Sequence, residues 1–120
     1  MPSSHDPADS LADIIENAER VSTYLLGMDR QAFERDGKTR DSVERCLERI
    51  CEAAHRLRGR AAELTSDQPW SDIRGMGNRL RHAYDRIRPD IIWNSIRNDL
   101  PGLAADVRFA LEQLRRRGPD

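Results

Sequence analysis

Aromatic residues, cysteines and long apolar runs are all scarce in this sequence, and each shortage removes a class of protein. Trp, Tyr and Phe occur twice each among 120 residues. No run approaches the roughly 18 consecutive apolar residues of a membrane-spanning helix, so no membrane association is expected. The N-terminal residues carry neither a basic stretch nor an apolar one, so no secretory signal is expected. Cys46 and Cys51 lie five apart in one helical stretch, which turns their side chains about 500° relative to each other and separates them by about 7.5 Å. They read as small buried thiols of a reducing compartment rather than a disulfide, and the expected location is the cytoplasm. Alternation of apolar and polar residues, the mark of a strand, is missing throughout. The net charge is −1, so no overall field draws the chain to nucleic acid or to a lipid surface.

What is present is helical periodicity and charge. Hydrophobic residues make up 38% and charged residues 34% of the chain, too apolar for disorder and suited to a bundle with charged outer faces. The length fits one domain, which buries about two-thirds of its unfolded surface. The charge is unevenly spread. Asp6, Asp9, Asp13, Glu16 and Glu19 all precede the first basic residue, Arg20, whereas Arg74, Arg79, Arg81, Arg86 and Arg88 lie together between Ser71 and Asp90. Such a patch attracts phosphate even on a neutral protein, although a solvated helix face explains it equally.

Residues 1–9 read as a flexible arm, 10–116 as a single helical domain and 117–120 as a tail. Ser10 with Asp13 approximates a capping arrangement, and Leu11, Ile14, Ile15, Ala18, Val21 and Leu25 follow at helical spacing. Gly27 marks the end of that helix or a bend. A short helix carrying Phe33 spans about 29–35, and Asp36-Gly37 signals a turn. A second long helix is expected over about 39–64, with Val43, Cys46, Leu47, Ile50, Ala54, Leu57 and Ala61 as its buried stripe. A third covers about 70–87. Pro89 interrupts it, a short helix follows through Ile92, Trp93 and Ile96, and Pro101 sits in the first turn of a last helix, where its missing N–H costs little. Leu103, Val107, Ala110, Leu111 and Leu114 give that helix its apolar side. The expected fold is all-α, an up-and-down bundle of four to five helices.

The third helix concentrates the chemistry. On a wheel at about 100° per residue with Gly77 at zero, Ile73, Met76, Leu80, Tyr84 and Ile87 share a core arc. Arg74, Asn78, Arg81 and His82 share a polar arc from about 40° to 140°. The imidazole can move a proton near neutral pH, and the guanidiniums can hold a phosphate. Taken alone, the same stripe also describes a surface histidine among solvated arginines. Gly75 and Gly77 inside a helix each cost up to about 1 kcal/mol against alanine, and close approach of another helix is a use for them.

The segment from Pro69 to Asp85, containing Arg74, Asn78, His82 and Tyr84, resembles the signature helix of the HepT-like toxins, which are helical bundles of the HEPN class. Ile91-Ile92-Trp93 and Asn98-Asp99-Leu100-Pro101 resemble the family as well, as do Asp13-Ile14 and Arg49-Ile50-Cys51-Glu52-Ala53. The likeness extends over roughly residues 10–115. It implies a HEPN-like homodimer whose groove is shared between protomers and cleaves RNA without a metal or cofactor. It also implies a partner, a minimal nucleotidyltransferase antitoxin that attaches AMP to a tyrosine. Carried over, His82 is the catalytic imidazole, Asn78 the polar residue beside the family arginine, and Tyr84 the AMP acceptor, while Arg74, Arg79 and Arg81 are candidates to hold phosphate, with Arg81 also in the catalytic set. The sequence departs from the pattern at Gly77, where the family's arginine usually stands. Losing such a cation is comparable to losing one oxyanion-hole donor, several kcal/mol of transition-state stabilisation. Two readings therefore stay open: an RNA-cleaving toxin, and a catalytically impaired binding protein that docks a nucleotidyltransferase.

Other clusters carry less. Glu52-x-x-His55 is half of a di-iron pattern, but Arg79 stands where a second glutamate would precede His82, so no metal is expected. His5 lies in the arm. Glu48 with Glu52 and Arg45 with Arg49 are spaced as solvated faces with possible ion pairs, and Glu52 has the alternative of lining the groove. Arg81 and Asp85 are spaced to pair with each other.

Overall fold

Three aspartates punctuate the first half of the chain, and each starts a helix. Asp6 accepts the amide of Ala8 at 3.0 Å and opens α1, Pro7–Tyr24. Asp29 accepts from the amide of Ala32 at 2.8 Å and opens α2, Arg30–Arg35. Asp36 closes α2 and then accepts both the amide (3.0 Å) and the hydroxyl (2.9 Å) of Thr39 as α3 begins, Gly37–Leu57. In each case a carboxylate satisfies an N–H that the first helical turn leaves without a partner. The amide and then the hydroxyl of Thr39 hold the Asp36 carboxyl below its ordinary value, because both bonds favour the charged form. The computed structural model describes residues 6–57 and 89–117, and in its second part α4 spans Pro89–Asn98 and α5 Leu100–Arg117. Among the described residues every regular element is an α-helix, in line with the all-α expectation.

Two helix starts differ from the sequence reading. The first helix begins at Pro7, so residues 7–9, expected in the arm, are helical. Pro7 has the φ that a first turn needs and no N–H to leave unsatisfied, and Asp6 supplies the cap. Ser10 is instead buried within the helix. The second long helix starts at Gly37, because Asp36 acts as a cap between two helices rather than as the first half of a turn. Gly27 holds to its expected role: its φ of 77° lies in the left-handed region that glycine tolerates best, just after α1 ends. The expected helix over 70–87, the connector before it and Ala61 lie outside the described residues.

α1 is packed on two sides, along α3 and along α5. Asp13 meets Arg56 while Arg20 lies near Cys46, so α1 and α3 run antiparallel. Glu19 meets Arg108, and Ala12 shares a groove with Arg115, so α1 and α5 are antiparallel too. This double contact explains the wide apolar arc of α1, in which Leu11, Ile14, Ala18 and Val21 are buried and Ile15 and Leu25 are packed against the core from its edges. From α3, Val43, Cys46, Leu47, Ile50, Ala54 and Leu57 are buried as expected, and Leu103, Val107, Ala110 and Leu111 close the core from α5. The short helices make a corner. Phe33, fully buried on α2, meets the Trp93 ring of α4 with centroids 5.5 Å apart, and the Arg97 guanidinium lies 5.7 Å from the Trp93 ring centroid. No described helix is long and apolar enough to cross a membrane.

Candidate functional site: a charged cleft between α1 and α3

The residues singled out from the third helix, Arg74, Gly77, Asn78, Arg79, Arg81, His82 and Tyr84, lie outside the described residues. The described elements contribute a different polar site. Where the polar margins of α1 and α3 meet, Asp13, Glu16, Asn17 and Arg20 face Arg49, Glu52 and Arg56 across a cleft of about 280 Å³. These positions share a cleft because both helices place them on the border between apolar stripe and solvent. With Ile14 at zero on the α1 wheel, Asn17, Asp13 and Arg20 fall at about 300°, 260° and 240°, along one flank of the core arc.

Most of the charge in the cleft is already paired. Arg56 donates to the Asp13 carboxylate at 2.8 Å and lies 4.0 Å from Glu52. Arg20 lies 3.6 Å from Glu16 one turn away on the same helix. Arg49, a half-buried residue, differs: among the described residues no carboxylate is recorded within salt-bridge distance of its guanidinium. Its described partner is Cys46, whose thiol is pushed up by burial while the Arg49 and Arg20 charges pull in the opposite direction. A buried thiol of raised pKa is a packing group rather than a nucleophile, and both Cys46 and Cys51 are buried, as the sequence reading expected.

Asn17 is the unusual member. Its side chain is only 4% exposed, and its Nδ2 donates to the Asp13 carbonyl at 2.8 Å. Its Oδ1 is buried and has no hydrogen-bond partner among the described residues. An amide oxygen in that position forfeits its hydration without recovering it, at a cost of about 1–3 kcal/mol. Sequence reasoning did not single out Asn17, Arg20 or Arg56, and it assigned Arg49 to a solvated face. The structure corrects that last assignment, since Arg49 is half-buried and lines the cleft. Glu52 lines the cleft as well, with its side chain largely exposed. The available signal for Asn17 was an uncharged polar residue about 40° from Val21, at the edge of an apolar arc.

The opposite side of α1 is built differently. A groove of about 640 Å³ against α5 has Ala12, Ile15 and Leu111 for its floor, with the exposed Glu19–Arg108 (3.1 Å) and Glu112–Arg116 (2.7 Å) pairs at its rim. Among the described residues no group of three or more metal-ligating side chains comes together.

The described helices form an all-α bundle in which a long first helix is packed between two antiparallel neighbours, the architecture expected of the HEPN class. Residues 14–109 match the family model described as "Ribonuclease HepT-like". The chain belongs to that family. It is 31% identical over 95 residues to the "Probable ribonuclease HepT" of Thermococcus cleftensis, covering 79% of this chain and 86% of the relative. It is 30% identical over 107 residues to the "Putative RNase TTE0752" of Caldanaerobacter subterraneus, covering 89% and 96% respectively. A third relative, the "Putative RNase MJ0127" of Methanocaldococcus jannaschii, is 32% identical over 104 residues, covering 87% and 86%. No solved structure gives a significant match.

Proposed function

We propose that the protein is an RNA endonuclease, the toxin of a toxin–antitoxin pair, acting in the cytoplasm without a metal or cofactor. The observation that carries the reading is the family match over residues 14–109, which runs through the segment bearing His82 and Tyr84. The chemistry follows from what RNA offers. Its 2′-OH attacks the adjacent phosphorus once a base removes the proton, an acid protonates the departing 5′-oxygen, and cations hold the phosphate as its charge rises. His82 is the proton-moving group, with Asn78 and Arg81 beside it and Arg74 and Arg79 supplying further positive charge. Two protomers in a homodimer bring two copies of His82 to one groove and divide the acid and base roles between them.

The antitoxin in this reading is a minimal nucleotidyltransferase that transfers AMP to the Tyr84 hydroxyl. A bulky anion two residues from His82 repels the RNA backbone and fills the groove. Incubation with such an enzyme and ATP is expected to add the mass of one adenylyl group at Tyr84, and an active enzyme that leaves Tyr84 unmodified refutes this part.

Gly77 supports a second reading, a catalytically impaired protein of the same fold that docks the nucleotidyltransferase. One experiment separates the two: RNA cleavage in excess chelator by the chain as it stands, by Gly77→Arg and by His82→Ala. Cleavage by the unaltered chain, abolished in His82→Ala, supports the nuclease. Cleavage only by Gly77→Arg identifies a disabled nuclease, and none by either supports the binding protein.

A further inference from the structure

Charges face each other across the seam between α1 and α3 in rungs. The two helices are antiparallel, and one rung is Asp13 with Arg56, 2.8 Å apart. Seven residues, about two helical turns, lead along α1 from Asp13 to Arg20 and back along α3 from Arg56 to Arg49. The register therefore sets Arg20 opposite Arg49, two like charges where the first rung has an ion pair. Both residues line the same cleft, and both charges act on the Cys46 thiol. Among the described residues this rung is only partly neutralised. Arg20 approaches Glu16 at 3.6 Å, longer than a hydrogen bond, with both side chains about half exposed or more. For Arg49 no carboxylate is recorded within salt-bridge distance.

We propose that this second rung holds a phosphate of the RNA backbone, bridged between Arg20 and Arg49. The proposal deepens the nuclease reading, on which its choice of RNA rests, by adding a contact that positions the strand. A phosphate has oxygens for both guanidiniums at once, and each guanidinium is a planar donor that keeps its charge. The bridging anion also relieves the repulsion between the two arginines. The cleft, about 280 Å³, falls short of the roughly 300–1,000 Å³ that encloses a whole small ligand. It suits one group of a longer chain. The carboxylates of the cleft limit the affinity without closing the site: Asp13 is held by Arg56, while the Glu16 and Glu52 side chains, 60% and 61% exposed, are free to turn toward solvent.

The test uses the full-length protein and a short single-stranded RNA whose 2′-hydroxyls are methylated, so that it binds without being cleaved. Affinity is measured by fluorescence anisotropy over a range of salt concentrations, and cleavage of the unmethylated RNA is followed in parallel. Each phosphate neutralised on a single strand contributes about 0.7 to the slope of log affinity against log salt. The double variant Arg20→Gln, Arg49→Gln, checked for native helicity by circular dichroism, is expected to lower that slope by about 0.7, and either single variant by no more. In cleavage, Arg49→Gln is expected to raise KM more than it lowers kcat. Glu16→Gln is expected to tighten RNA binding, because it releases Arg20 and removes a negative charge beside the phosphate. An unchanged slope in the folded double variant, a loss of about 1.4 (two separate phosphates), no gain in Glu16→Gln, or no RNA binding would each overturn the proposal. Inorganic phosphate that binds as tightly as the RNA would assign the rung to a free anion and overturn it too. Cleavage whose KM and salt dependence ignore both arginines removes this contact and leaves the nuclease reading standing. Arginine-dependent binding without cleavage removes the nuclease reading and leaves the contact.

Discussion

α1 separates two seams made of similar residue types and built for different ends. Against α5 the charges stand at the rim: Arg108 and Glu19 approach to 3.1 Å, but both side chains are more than half exposed, and the floor beneath them is Ala12, Ile15 and Leu111. Against α3 the Asp13–Arg56 contact is shorter, 2.8 Å, its arginine is only about a quarter exposed, and a buried asparagine lies alongside. The α5 seam is a packing surface with solvated edges. The α3 seam retains a polar group that packing alone does not require, and proteins hold such groups at a stability cost chiefly where function uses them.

The largest expected effect strikes the core beneath both seams. Ile14 is fully buried at the centre of the α1 arc, and Ile14→Ala is expected to destabilise the protein by about 2–5 kcal/mol, read from chemical denaturation. A loss below about 1 kcal/mol would mean that α1 is not gripped from two sides.

The next effect has the opposite sign and is confined to the α3 seam. Asn17→Leu removes a buried acceptor that has no partner among the described residues and places an apolar group on the face that carries Ile14, Ala18 and Val21. It is expected to raise stability by about 1 kcal/mol, the desolvation penalty relieved less the lost bond to the Asp13 carbonyl. Destabilisation by a similar amount would show that Oδ1 is satisfied in solution, by water or by another part of the chain.

A smaller effect compares the seams directly. Double-mutant cycles on Asp13–Arg56 and on Glu19–Arg108 are expected to give coupling of about 0.5–1 kcal/mol for the first and about 0.3 kcal/mol or less for the second. Raising the salt concentration is expected to weaken the exposed pair proportionally more. Equal couplings would erase the electrostatic distinction between the two sides of α1.

The seams also mark where the sequence was readable. The buried stripes of α1, α3 and α5 follow from spacing alone, since apolar residues three and four apart share a helix face whatever lies opposite. Pro89 and Pro101 fall in the first turns of α4 and α5 for the reason that makes proline legible: it fixes φ and gives up an N–H that a first turn does not use. Asp36-Gly37 signalled a break, but its use as a cap shared between two helices required knowing that Thr39 reaches back to it. The Asp13–Arg56 pair was not legible, because its members are 43 residues apart and periodicity says nothing about which helices become neighbours. Asn17 was visible as a polar residue near an apolar arc, yet only the packed structure reveals that, among the described residues, one of its two polar ends has a partner and the other has none. The third-helix residues rest on the family likeness, which the match over 14–109 supports without positioning their side chains.

The smallest prediction concerns the flank of α3 that faces away from the cleft. There Glu44 is half-buried with Asp41 and Glu48 nearby, and burial followed by repulsion from Asp41 raises its carboxyl above the ordinary value despite the opposing Arg40. In the cleft, by contrast, Asp13 and Glu16 each stand beside an arginine. The sign of the pH effect follows from this arrangement. The folded state holds the Glu44 proton more tightly than the unfolded chain does, so its contribution to stability is fully present below the unfolded value near 4.5 and is lost as the pH rises through the higher folded value. Glu44→Gln removes the charge at all pH values. It is expected to raise stability at pH 7 by no more than about 0.5 kcal/mol, with the gain disappearing at pH 4, where the native side chain is itself largely protonated. Asp36 provides the control with the opposite slope: its carboxyl is lowered, so the stability from its two bonds to Thr39 is present above the ordinary value of 3.8 and is lost as the pH falls through the lower folded one. Thermal melts of the parent, Glu44→Gln and Asp36→Ala between pH 3 and pH 7 separate the two slopes. A Glu44→Gln gain that persists undiminished at pH 4 would mean that its charge is not what costs stability on that flank.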